Sequence, residues 1–312
     1  MSLDRALELG DRHRGTAHPK PTVAAVLARD GEIVGEGWTE AGGRHGEIVA
    51  LERAGERARG ASLYVTMEPC AHHGTTPPCT EAVIAAGVVK VVAGSRDPNP
   101  EAAGGLERLR AAGLETQLDE RFEARAQNEA WRTWVTKGRP FVIYKVAASL
   151  DGRVTVPGSR WVTGEASRRL VHELRATVDA VVVGMGTVRA DAPRLDARDV
   201  GATRQPRRLA FGRGPLPEGS ELELRSGPLE AELVALATEG VQSLLLEGGP
   251  TLAGSFLRAG LVDKLLVFLA PTLSGSGAGI FDRLDEPLAL TRPTVRQVGE
   301  DVLVEGYLHE PR

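Results

Sequence analysis

Short apolar runs alternate with mixed segments along the first half of the chain. Residues 22–28 (Thr-Val-Ala-Ala-Val-Leu-Ala) read as a strand, and Asp30-Gly31 as a hairpin turn into a second strand over 32–37. From His45 to Arg57, apolar Ile48, Val49 and Leu51 mix with Ala and Glu at helical spacing, which puts His45 and Glu47 at a helix N-terminus. A strand at 62–67 runs into Glu68-Pro69-Cys70. Cys79 then opens a helix that continues over 80–86 and stops at Gly87. A strand at 88–94, the turn-rich Asp97-Pro98-Asn99-Pro100, a helix near 106–112 and a strand near Leu114 complete this unit. Arg121 to Thr136 reads as one connecting helix, and Gly138-Arg139-Pro140 breaks it.

The second half opens on an apolar strand, 141–147, followed by a helix over 165–176 and a buried strand at 179–183. Further strands are predicted at 208–211, 243–246 and 264–268, and the Gly-, Pro- and Arg-rich stretch from Gly201 to Glu218 reads as an irregular surface loop. Strands alternating with helices predict an α/β protein with a largely parallel sheet in this half. A length of 312 residues suits two domains, and the break places them at 1–138 and 139–312.

Composition narrows the classes of function. Hydrophobic residues make up 42% and charged ones 26%, which is enough apolar material for a core in each half. A formal net charge of −4 argues against broad attraction to nucleic acid, though a local basic pocket can still bind a phosphate. The first residues, Met1 to Glu8, carry acids where a signal peptide would be apolar, and no stretch reaches the apolar length of a membrane span. Two cysteines without an export signal read as thiols or thiolates, so the cytoplasm is the expected compartment.

Both cysteines fall in one short stretch, Met67-Glu68-Pro69-Cys70-Ala71-His72-His73-Gly74-Thr75-Thr76-Pro77-Pro78-Cys79, downstream of His45-Gly46-Glu47. One histidine and two thiolates can hold zinc with the fourth position left for water, and zinc brings the pKa of that water toward neutrality. Glu47 is then placed to carry protons between water, substrate nitrogen and leaving ammonia. The H-x-E…P-C-x-x-C signature of nucleobase deaminases uses this set, but here eight residues separate the cysteines. A structural zinc site, or two buried free cysteines, is the alternative reading.

The same residues, with Ala85-Ala86-Gly87-Val88 and Asp97-Pro98-Asn99-Pro100, resemble the bifunctional deaminase–reductase family of bacterial riboflavin synthesis, whose pattern is H-A-E…T-x-E-P-C-x-H-x-G-x-T-P-P-C. The resemblance implies a cytidine-deaminase-like three-layer domain followed by a dihydrofolate-reductase-like α/β domain. It implies zinc on His45, Cys70 and Cys79, with Glu47 as the proton shuttle and His72 touching the substrate. The chain departs from the pattern at three places. Gly46 stands for Ala and should loosen the turn, Lys20-Pro21 replaces Asn-Pro, and Thr75 replaces an Arg or Lys; Lys20 is a candidate for the missing charge. His13, His18 and His309 have no evident partner and read as solvent-exposed.

In the second half Gly184-Met185-Gly186 is only a G-x-G, which usually marks a turn. Lys145 to Gly152, Ser159 to Gly164, Gly186 to Asp191 and Leu246 to Leu252 together resemble the reductase domain of the same family. In Glu247-Gly248-Gly249-Pro250-Thr251, Pro250 suits a first helical turn whose free N–H groups form an anion site. The resemblance implies NADPH against Ala147, Trp161, Thr187, Asp191 and Gly249. It implies substrate against Lys145, Ser159, Arg175, Leu195, Arg198 and Glu247, with Arg175 and Arg198 on a phosphate. Trp161 and Leu195 as core, with solvated arginines, is the plain alternative. Lys145 and Asp191 are the candidate proton donors.

The expected activity is zinc-dependent deamination of 2,5-diamino-6-(5-phosphoribosylamino)pyrimidin-4(3H)-one, then NADPH-dependent reduction of the ribosyl group to ribityl. The expected partner is this small phosphorylated pyrimidine, with neither nucleic acid nor membrane involved, and the resemblance implies a homo-oligomer. One rival is a nucleic-acid base deaminase with an unrelated second domain. The other is a member with only the reductase active and the deaminase domain as scaffold.

Overall fold

The computed structural model describes residues 3–73 and 77–311, so Thr75 lies outside the described residues. The chain divides into two compact units, Met1–Lys137 with Pro311–Arg312, and Gly138–Glu310.

The first unit contains α1 (Leu3–Arg12), β1 (Ala24–Arg29), β2 (Glu32–Trp38), α2 (Gly46–Ala54), β3 (Ser62–Val65), α3 (Cys79–Ala85), β4 (Lys90–Ala93), α4 (Gly105–Ala111), β5 (Glu115–Leu118), α5 (Phe122–Ala126) and α6 (Glu129–Lys137). Its sheet has the order β2-β1-β3-β4-β5. The first two pairings are antiparallel and the last two parallel. Successive strand residues point to opposite faces, and β1 uses both. Ala25 and Leu27 pack into a core with Ala50, Val83, Leu106 and Leu109 of α2, α3 and α4. Val26 packs against Leu3, Ala6 and Leu7 of α1 and Ala124 of α5. These are three layers, helix on sheet on helix, and they explain why β1 is a near-continuous apolar run.

The connecting helix expected over 121–136 is two helices. It breaks at Gln127 and Asn128, both buried, because their side chains bond elsewhere. Gln127 Nε2 donates to Leu7 O at 2.7 Å, while Asn128 accepts from Thr22 N and donates to Thr22 O, each at 2.8 Å. His13, expected in solvent, stacks on Trp38 with ring centroids 3.8 Å apart, whereas His18 and His309 are exposed.

The second unit contains β6 (Phe141–Ser149), α7 (Glu165–Thr177), β7 (Ala180–Gly184), α8 (Met185–Asp191), β8 (Arg207–Phe211), β9 (Glu223–Arg225), α9 (Leu229–Thr238), β10 (Ser243–Leu246), α10 (Pro250–Arg258), β11 (Lys264–Ala270), β12 (Thr291–Val298) and β13 (Asp301–Tyr307). Its eight-stranded sheet runs β12-β13-β11-β6-β10-β7-β8-β9. The strands from β11 to β9 pair in parallel, and the β12–β13 hairpin adds antiparallel at one edge. Tyr144, Val182 and Leu246 face Leu233, Leu236 and Phe256 of α9 and α10. Ile143, Val181 and Leu245 face Leu174 of α7 and Met185 and Val188 of α8. The G-x-G at 184–186 is thus a strand end passing directly into a helix.

Two buried carboxylates fix this unit's geometry across long sequence separations. Asp263 takes both guanidinium nitrogens of Arg139 at 2.6 and 2.8 Å and the N–H of Val142 at 2.9 Å, joining the starts of β6 and β11. Asp301 accepts from Gly164 N at 2.9 Å and Ser167 Oγ at 2.5 Å, satisfying the first turn of α7 from β13. Among the described residues, no helix is long and apolar enough to cross a membrane.

Candidate active sites

In the first unit, the N-terminus of α2 and the loop from β3 to α3 bring His45, Cys70 and Cys79 together, with their donor atoms all within 4.8 Å of one another. His45 Nδ1 lies 3.1 Å from Cys79 Sγ and 3.7 Å from Cys70 Sγ. Ligands of one tetrahedral zinc stand about 3.5–3.8 Å apart at ordinary Zn–S and Zn–N lengths, and the His45 nitrogen is already within about 0.5 Å of that spacing from each thiol. Hydrogen bonding from Cys79 holds the Cys70 thiol well below its ordinary range, at about 4. The same contact, with burial, pushes Cys79 upward.

Glu47 sits in the first turn of α2, 2% exposed, with Oε2 bonded to nothing. Burial pushes its carboxyl up to about 7, against the pull of His45. A buried polar atom without a partner is costly, and beside three soft donors it marks a place built for a further group. His72 is half-buried and its Nδ1 also lacks a partner. The donor set and the orphaned oxygen fit zinc with a reacting water.

Gly46 does more than its sequence context suggests. A Cβ there would stand 2.3 Å from Val23 O and 3.0 Å from Trp38 Cα. The hairpin backbone therefore approaches α2 too closely for a side chain, and Gly46 tightens the seating of His45 and Glu47 rather than loosening it. Gly46→Ala is expected to destabilise the chain by about 1–3 kcal/mol through overpacking. Urea unfolding checks this, and a gain in stability would refute it.

Glu68 carries a role that the sequence reading missed. Its carboxylate is buried and accepts from Leu106 N at 2.9 Å and Asp97 N at 3.3 Å, with Arg96 NH1 at 3.4 Å. It ties the loop bearing Cys70 to the 95–106 segment. The available signal was an acid between Met67 and Pro69 at the end of an apolar strand, a place where a charge needs partners.

In the second unit, five residues form a continuous polar chain on the α7 side of the sheet. Glu247, just past β10, takes Arg175 Nε at 2.6 Å and NH2 at 3.0 Å, and Lys145 Nζ at 3.5 Å. Arg175 NH1 reaches Asp196 O at 3.1 Å, and the Asp196 carboxylate holds Arg198. Burial opposes ionisation of Glu247, but Lys145 and Arg175 outweigh it and bring its pKa to about 2. Asp196 is the member that sequence reading missed; the signal was an acid two residues before Arg198.

The other predicted residues are placed differently. Thr187 and Gly249 are adjacent, since a Cβ on Gly249 would meet only Thr187 Oγ1, at 3.6 Å. Gly249 precedes α10, whose first residue is Pro250. Ala147 is half-buried on the α7 face of β6. Ser159 and Trp161 lie in the loop after β6, where Ser159 Oγ donates to Trp161 O at 2.7 Å. Trp161 is 51% exposed, with the guanidiniums of Arg160 and Arg168 at 5.1 and 5.2 Å from its ring, so it is not core. Leu195 is core: it is 3% exposed and packs with Val178, Val181 and Val183. Asp191 is exposed at the end of α8. Loop 150–164, the start of α8 and Glu247-Gly248-Gly249 all follow the carboxyl ends of parallel strands, the edge where open α/β sheets bind ligands. Open space beside Gly186 and the N-terminus of α10, which no side chain caps, suit a phosphate-bearing cofactor.

A layered domain with a His-Cys-Cys cluster and a buried glutamate, joined to a parallel-sheet domain with a polar carboxyl edge, defines a zinc-binding deaminase fused to an α/β reductase. Comparison with known proteins agrees. Residues 2–95 match the cytidine and deoxycytidylate deaminase zinc-binding region, and residues 140–304 match the RibD C-terminal domain. The chain belongs to the RibD family of riboflavin biosynthesis proteins. It is 42% identical to riboflavin biosynthesis protein RibD of Mycobacterium tuberculosis, over 97% of this chain and 96% of that protein. It is 38% identical to RibD of Aquifex aeolicus, over 96% and 95%. A solved diaminohydroxyphosphoribosylaminopyrimidine deaminase/5-amino-6-(5-phosphoribosylamino)uracil reductase from Thermotoga maritima superposes with a TM-score of 0.83 at 34% identity, covering 98% of this chain and 97% of that one.

Proposed function

We infer that the chain catalyses two consecutive steps of riboflavin synthesis. Residues 1–138 deaminate 2,5-diamino-6-(5-phosphoribosylamino)pyrimidin-4(3H)-one, and residues 139–312 reduce the ribosyl group of the product to ribityl. The observation that carries this reading is the buried, unpartnered Glu47 oxygen beside the His45-Cys70-Cys79 cluster, in a chain that also carries the second domain.

His45, Cys70 and Cys79 would hold zinc, which when bound would activate water as a nucleophile near neutral pH. Glu47, held protonatable by burial, carries one proton of the water to the ring nitrogen and then the second, from the hydroxyl added to the ring carbon, to the leaving amine, which departs as ammonia. His72 presents its free Nδ1 to the pyrimidine. In the reductase, Ala147, Trp161, Thr187, Asp191 and the Gly249 turn would hold NADPH, which when bound would supply the hydride. Ser159, Arg175, Arg198 and Glu247 orient the sugar phosphate, and the buried Leu195 side chain restricts its role to the backbone. Lys145 is better placed than Asp191 to deliver a proton. Its ammonium sits inside the cluster on Glu247, whereas Asp191 faces solvent. Self-association rests on the family resemblance, and the cytoplasmic setting on the two cysteines and the acidic first residues.

The diaminopyrimidine phosphate given to zinc-loaded protein should release ammonia without NADPH, and NADPH should be oxidised only after that release. NADPH oxidation of the deaminated compound with no ammonia from its precursor would leave the first domain a scaffold.

A further inference from the structure

The loop that carries both cysteines contains no lysine or arginine from Cys70 to Cys79. A phosphorylated substrate must therefore find its cation on another segment. The basic groups nearby in sequence and space are already engaged. Arg44 pairs with Glu40 and Glu52, Arg53 lies over Trp38, and His73 and Arg108 share Glu81.

Lys20 is different. Among the described residues no carboxylate lies within ion-pair distance of it. Its backbone is fixed on both sides: Lys20 N donates to Ala17 O at 2.9 Å, Pro21 restricts it to extended conformations, and Asn128 clamps Thr22. The side chain runs across Gly43. A Cβ there would stand 2.5 Å from Lys20 Nζ and 3.0 Å from Cε, so this glycine, at φ +87°, leaves the gap the ammonium uses. Gly43 lies two residues before the ligand His45.

We propose that Lys20 is the specificity-determining cation of the deaminase site and binds the phosphate of its substrate. The inference rests on the deaminase reading above. An ammonium without a carboxylate, on a fixed stem against the glycine two residues before the ligand histidine, leaves its N–H donors for an anion, and the substrate's anion is a phosphomonoester.

The test compares wild type, Lys20→Ala and Lys20→Arg on the diaminopyrimidine ribosylamine with and without its 5-phosphate, with zinc content measured for each. Loss of a charged hydrogen bond should raise KM for the phosphorylated substrate about tenfold or more in Lys20→Ala. In the same variant kcat should stay within about twofold, the mark of uniform binding. KM for the dephosphorylated substrate should not change, and Lys20→Arg should restore the preference. Equal effects on both substrates, or none, overturn the proposal. Calorimetric titration with ribose 5-phosphate separates this from the deaminase reading. If wild type releases no ammonia yet binds one more equivalent of ribose 5-phosphate than Lys20→Ala, the reductase site being common to both, the deaminase reading falls and the phosphate site stands. Equal binding by both proteins overturns it.

Discussion

Glu47→Gln is expected to slow ammonia release by about 10²–10⁴-fold, the usual worth of a positioned acid–base group, while the protein keeps its zinc. Glutamine matches the shape of the glutamate in the first turn of α2, where the side chain is 2% exposed, so the substitution removes proton transfer and little else. The ligands His45, Cys70 and Cys79 are untouched, and zinc measured by atomic absorption should match wild type. Reduction of the already deaminated substrate provides the control, because Glu47 belongs to the unit Met1–Lys137 and the reductase residues to Gly138–Glu310. Ammonia release at an undiminished rate would remove Glu47 from the chemistry. Loss of zinc together with activity would make it a structural residue.

This site was legible in the sequence because its chemistry depends on rare residue types at fixed spacing. His45, Glu47, Cys70 and Cys79 come from one helix start and one loop, and the strand and helix patterns around them predict that both ends meet. The layers were legible for a similar reason, since the apolar runs at β1, β6, β7 and β10 mark strands buried on both faces. What was not legible depends on partners far away in the chain. The helix break at Gln127-Asn128 answers groups at Leu7 and Thr22, more than a hundred residues earlier. Locally only Asn128 leans against a helix interior, and by a few tenths of a kcal/mol, while Gln127 suits one. The close approach of Val23 O to Gly46 is likewise invisible without the fold, and the same substitution then looks like a loosened turn. Leu195 shows the limit of reading by family position, because its side chain points into the core.

Glu247→Gln is expected to cost the second unit about 3–5 kcal/mol, the range for removing one partner from a buried ion pair. For a unit spanning Gly138–Glu310 that lowers its melting transition by roughly 10 °C. The amide keeps the volume but not the charge, leaving Arg175 and Lys145, with side chains 12% and 15% exposed, as two cations with no counter-charge between them. The sign with pH follows from the direction of the shift. Glu247 is held at about 2 in the fold, below the value of about 4.3 for an unfolded chain. Its stabilisation is therefore complete above that unfolded value and is lost as pH falls through the folded one. The stability gap between wild type and Glu247→Gln, read by calorimetry, should be widest near neutrality and close on acidification toward pH 3 and below. A gap that does not change with pH would mean that packing, not charge, accounts for the loss. Adding Lys145→Met should recover part of the stability at pH 7 by removing one stranded cation, and it would not do so if the cluster were electrostatically idle. Reduction should fail in either variant even well below its melting temperature, because Glu247 sets the orientation of Arg175 and the position of the Lys145 ammonium. Ammonia release by the first unit should be unaffected.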